Sequence, residues 1–130
     1  MKKWIVAGTL TLISQMAFAG PSPAVKSKVQ SAMKSFVIGQ TSSKGLMPVI
    51  YKGKVLQLKV LETKKYPDGF HAGVQQDGNL YTSCADFIDP KTKKVYDIDF
   101  LVNKVGESYK VVQPIVHSVD GKKNPYDLDH

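Results

Sequence analysis

Residues 80–102 read LYTSCADFIDPKTKKVYDIDFLV, and their pairing decides the fold. Asp89-Pro90-Lys91-Thr92-Lys93 has the proline and polar residues of a turn, with alternating apolar residues on either side. Counting outward from it pairs Phe87 with Tyr96, Asp86 with Asp97, Ala85 with Ile98 and Cys84 with Asp99. Successive side chains of a strand point to opposite faces. Tyr81, Ala85, Phe87, Tyr96, Ile98, Phe100 and Val102 therefore share an apolar face. Thr82, Cys84, Asp86, Asp97 and Asp99 share the other. Continuing through a turn at Gly106 pairs Val102 with Tyr109, Phe100 with Val111 and Tyr96 with Ile115. That register sends His117 to the apolar face and sets Leu80, Leu101, Val112, Pro114 and Val116 beside the aspartates.

Upstream the period changes. Val25, Val29, Ala32, Met33 and Phe36 recur at helical spacing after Ser22-Pro23, a capping pair, and before Gly39, a plausible stop. The spacing predicts an amphipathic helix over Pro23–Ile38 whose apolar stripe packs on a sheet. Val49–Tyr51 and Lys54–Glu62 read as strands joined by Lys52-Gly53. Pro67-Asp68-Gly69 is a turn, Phe70–Gln75 at most a short strand, and Asp77-Gly78 a hairpin turn. Asn79–Asp89, Val95–Asn103 and Ser108–Val119 follow. The fold class is α+β: an N-terminal helix on an antiparallel meander of four to five strands.

This element order, with the strand–turn–strand of residues 80–102, resembles the cystatin-like and nuclear-transport-factor-like architecture of small exported bacterial domains. The Gln-x-Val-x-Gly inhibitor loop of cystatins is absent, so the resemblance implies a scaffold and not protease inhibition.

The ends and the composition narrow the function classes. Met1-Lys2-Lys3, an uncharged run over Trp4–Ile13 and Ala17-Phe18-Ala19 form a secretory leader pattern, with cleavage expected after Ala19. The run is shorter than the roughly 20 apolar residues of a spanning helix. Residues 1–19 are thus expected to be a leader, 20–120 a single domain and 121–130 a polar tail, in a periplasmic or secreted protein. Without Lys2 and Lys3, 16 lysines face 11 acidic residues, a charge of +5. There is no arginine, the residue best suited to bidentate phosphate and base contacts, so no specific nucleic-acid partner is expected. One cysteine allows no internal disulfide.

The register also frames the chemistry. It places Cys84 and His117 on opposite faces, out of the reach a thiol needs to its base. His71 falls in a turn region and His130 in the tail, so no catalytic set is expected. Asp86, Asp97 and Asp99 gather like charges on one patch, which needs an offset from lysines, solvent, a proton or a cation. Calcium requires more oxygens than a flat sheet offers, and zinc would find only Cys84 nearby, so neither a metal nor another cofactor is expected. The leading expectation is a non-catalytic binding domain. Its partner would be a protein, an envelope component or a second copy of the chain, contacting Val112 and Val116 and oriented by Asp86, Asp97 and Asp99. The alternative is a ligand-binding or enzymatic pocket between helix and sheet, lined by Tyr81, Tyr96, Tyr109, Gln113 and His117.

Overall fold

The computed structural model describes residues 20–124; the leader pattern and residues 125–130 lie outside the described residues. Helix α1 (Pro23–Gln40) begins where the capping pair predicts. Ser22 Oγ accepts from the Val25 amide at 3.3 Å, and Pro23 occupies the first turn, where a missing N–H leaves no bond unmade. Gly39 does not stop the helix. The last turn runs on to Gln40, and Thr41 closes it, its backbone N–H and its hydroxyl both donating to the Val37 carbonyl. Val29, Met33 and Val37, four residues apart, are the buried stripe.

Seven strands form one open antiparallel sheet: β1 (Met47–Tyr51), β2 (Lys54–Val60), β3 (Gln75–Asp77), β4 (Leu80–Ile88), β5 (Val95–Val105), β6 (Ser108–Val119) and β7 (Lys122–Lys123). Their order is β1-β2-β4-β5-β6-β7, with β3 beside β4. The α+β class is as expected; the strand count of four to five is too low. The extra strands have no apolar signature. β3 is Gln75-Gln76-Asp77, and β7 is two lysines. Asp120 and Gly121 turn the chain with φ of 49° and 83°, so that Lys123 pairs with Ser118 and Lys122 with Val119. Asp120 ties this corner down through its carboxylate, which accepts from the Val95 amide at 2.7 Å.

The 80–102 hairpin has the register that alternation predicts, including Asp86 opposite Asp97 and Cys84 opposite Asp99. Its apolar face meets α1. Phe36 packs edge-on against Phe100 with ring centroids 6.1 Å apart, and Phe87, Ile98, Phe100 and Val102 are fully buried. Each such side chain contributes about 1.5–3 kcal/mol through burial.

The β5–β6 pairing departs from the expected register. Phe100 pairs with Pro114, Val102 with Val111 and Tyr96 with Val119. The turn lies one residue later than expected, with Val105 paired to Ser108, and two β-bulges shift the register further. Ser118 pairs with Asp97 and Val116 with Ile98, leaving His117 as the extra residue; Gln113 pairs with Leu101 and Val111 with Val102, leaving Val112. A bulge re-aims the side chains around it. Val116 accordingly joins the core at 4% exposure, opposite to its expected face, and Val112 is 61% exposed.

Candidate functional site

The chain 61–74 runs along β4 and carries the site's decisive residue. Leu61 donates its amide to the Asp86 carbonyl, the Asp86 amide donates to the Gly69 carbonyl, and the His71 amide donates to the Cys84 carbonyl, all at 2.8–2.9 Å. Gly69 has φ 85°, and a Cβ there would lie 2.5 Å from Val60 Cγ1. Only glycine lets the segment lie this close to β2. Phe70 bridges to Ala85, so it shares that residue's apolar face and His71 falls beside Cys84 on the acidic face. Gln30 of α1 fixes the segment further by donating to the His71 carbonyl.

His71 Nδ1 lies 2.8 Å from Cys84 Sγ. Its Nε2 lies 2.9 Å from Asp86 Oδ1, at ion-pair distance but off the hydrogen-bond line. The Tyr66 ring stacks on the imidazole at 4.1 Å between centroids, fixing its plane. On the neighbouring strand, one oxygen of Asp97 is buried and accepts no hydrogen bond among the described residues. Donor atoms of His71, Cys84 and Asp97 all lie within 4.8 Å of one another. Alongside, His117 Nδ1 meets Asp99 Oδ2 at 2.8 Å, and Asp99 is only 3% exposed.

This arrangement overturns two expectations. His71 is placed by a bridge between residues far apart in sequence, and is the imidazole that Cys84 meets. His117 belongs to the aspartate side, because the bulge turns it away from the apolar row. Of the possible offsets, lysines are not paired with Asp86 or Asp97 among the described residues; imidazoles stand beside Asp86 and Asp99 instead.

Electrostatics decide what the cluster can do. Burial, then the charges of Asp97 and Asp99, push the Cys84 thiol well above its ordinary range. A nucleophilic cysteine needs the opposite, an electropositive site that favours thiolate. Thiol, imidazole and carboxylate lie in the order of a catalytic triad, yet the surrounding acids disfavour the nucleophile. Asp97 is also raised, by burial first and by Asp99 and Asp86 in part, against the lowering effect of His71 and His117.

A folded value above the unfolded one means that the stability contribution is full below the unfolded value and lost as pH rises through the folded one. At pH 7, Asp97→Asn removes a charge facing Asp86 across the ladder and should raise stability by about 0.2–1 kcal/mol. The melting temperature rises by up to several degrees. Melts at pH 7 and near pH 3.5 check this: the two proteins differ in the first and converge in the second.

The remaining candidates are dispersed. Val116 is buried, and Val112 is exposed. Tyr81 and Tyr96 are core residues, and Tyr109 packs on Tyr81 with centroids 5.6 Å apart. Of the five expected pocket residues, Gln113 alone lines the open groove of about 750 Å³ between the C-terminal half of α1, β1 and β6. Phe36, Ile50, Tyr51 and Asn124 are among the residues that wall it, and Tyr51 Oη donates to Asn124 Oδ1 at 2.9 Å. No described helix is long and apolar enough to cross a membrane.

Comparison with protein-family models, with curated proteins and with solved structures finds no match for this chain.

Proposed function

We propose that the protein is a small exported binding domain without catalysis, whose binding centre is the cluster of His71, Cys84, Asp86, Asp97, Asp99 and His117. The observation that carries this reading is the convergence of donor atoms of His71, Cys84 and Asp97 within 4.8 Å, with a buried Asp97 oxygen that has no hydrogen bond among the described residues. A buried polar atom without a partner costs about 1–3 kcal/mol, an investment that a bound ligand repays. The leader pattern of residues 1–19 supports export. A helix followed by an antiparallel sheet, on which the cystatin-like resemblance rests, supplies a rigid frame for such a centre.

The ligand is small. The side chains of His71 and Asp86 keep only 18% and 19% of their surface, so a protein partner would touch the rim and not the donors. The raised thiol argues against a cysteine nucleophile: at pH 7 iodoacetamide should label Cys84 much more slowly than it labels glutathione. Labelling as fast as glutathione would return the thiol to the list of nucleophiles.

The test of the binding centre is a nuclear magnetic resonance titration. The purified protein is mixed with the small-molecule fraction of its native envelope, freed of metals on a chelating resin. Shifts of the His71 and His117 ring signals ahead of those of Tyr51 or Asn124 support the reading. Shifts confined to the groove overturn it, as does the lack of any shift with both the metal-freed and the untreated fraction. The groove outcome would favour the second reading, a site for an extended apolar ligand between β1 and β6.

A further inference from the structure

We propose that the cluster binds a divalent transition-metal ion of the zinc class, held by His71 Nδ1, Cys84 Sγ and an Asp97 carboxylate oxygen. Asp86 orients the imidazole from its far nitrogen. The inference rests on reading the cluster as the binding centre, and adds the chemistry of what is bound.

The donor set selects the ion. One sulfur, one aromatic nitrogen and one carboxylate oxygen suit zinc and its neighbours, whereas calcium and magnesium take oxygens alone. Three protein donors leave a fourth tetrahedral position for water or a small molecule. Distances fit with little movement. An ion about 2.0 Å from nitrogen and about 2.3 Å from sulfur holds those atoms about 3.5 Å apart at the tetrahedral angle. Sγ and Nδ1 are now 2.8 Å apart, so they would separate by less than the width of an atom.

The surroundings match what a metal-bound imidazole needs. A ligating histidine gives its other N–H to a carboxylate, which fixes its tautomer and orientation. Asp86 Oδ1 stands 2.9 Å from Nε2, and a small rotation brings the two into line. Tyr66 holds the ring from its face. The buried oxygen of Asp97 gains the partner that no described residue supplies. A cation also offsets the repulsion between Asp86 and Asp97, which lie directly opposite on adjacent strands. Sequence reasoning missed the site because zinc appeared to have only Cys84 nearby; His71 is the donor that alternation along the 80–102 hairpin cannot reveal.

Cobalt(II) is the test ion, because thiolate ligation gives it a near-ultraviolet absorption that carboxylate or imidazole ligation does not. Chelator-treated full-length protein is titrated with cobalt(II), then with zinc, and binding is quantified by equilibrium dialysis. One equivalent of cobalt(II) should bind with the thiolate band, and zinc should displace it. Calcium should leave the spectrum unchanged. Cys84→Ser should lose the band, and Cys84→Ser and Asp97→Asn should each weaken zinc at least tenfold. Asp86→Asn should weaken it by about 10–100-fold. Asp77→Asn, at the exposed end of β3, serves as the control with unchanged affinity. Circular dichroism confirms that each variant is folded, and His71→Asn provides a second donor deletion should one fail. Absence of zinc and cobalt uptake by the parent overturns the proposal, as does undiminished uptake by folded Cys84→Ser and Asp97→Asn. If zinc fails to bind while the metal-freed envelope fraction still shifts the His71 signal, the metal is wrong and the binding centre stands.

Discussion

Gly69→Ala lowers the unfolding free energy by about 3 kcal/mol and loosens the cluster at the same time. Two costs combine. At φ 85° an L-residue costs about 1–2 kcal/mol, and forcing a methyl into filled space typically costs about 1–3 kcal/mol more. The clash is with Val60 Cγ1 at 2.5 Å and the Leu61 carbonyl at 3.0 Å, and the second is backbone that cannot swing aside. Relief requires the 66–71 segment to retreat from β2. Its anchor, the Asp86 amide to the Gly69 carbonyl, then lengthens, and His71 moves with it. Urea unfolding measures the first effect; the His71 ring signals, or zinc affinity, measure the second. A variant as stable as the parent would mean that the close approach is not rigid.

The largest loss is expected for Phe100→Ala, about 3–5 kcal/mol. Phe100 has no exposed surface, and it is where the helix and the central hairpin meet, touching Phe36 at 6.1 Å and Phe87 at 6.2 Å between centroids. Removing the ring leaves a void that two neighbouring aromatics cannot collapse to fill. A small domain has about 5–15 kcal/mol in total, so the variant stands near its folding limit. Phe100→Leu separates shape from hydrophobicity: it should keep most of the stability that alanine loses. Chemical denaturation of both variants decides, and a loss below about 1 kcal/mol for alanine would refute this account of the core.

How much of this was legible in the sequence depends on how locally each feature is encoded. The 80–102 hairpin was readable residue by residue, because its turn and its alternation lie within one short span. The helix start was readable from Ser22-Pro23, but its end was not. Gly39 looks like a stop, whereas Thr41, with both its donors on the Val37 carbonyl, is what closes the helix. β6 was found and mis-registered. A bulge adds one residue without any compositional mark, and two of them moved Val116 inward and His117 to the aspartates. The three aspartates were recognised as a problem of like charge. Their companion His71 was out of reach, because its position follows from the Phe70–Ala85 bridge, a non-local contact with no signal in either segment alone.

The cluster's side chains come from the 61–74 segment, β4, β5 and β6, none of which holds more than two of them. None of these elements can assemble the cluster by itself, so its formation and the completion of the sheet are a single event. An extended or partly folded chain therefore carries these side chains as separate groups, and only the finished sheet presents them as one.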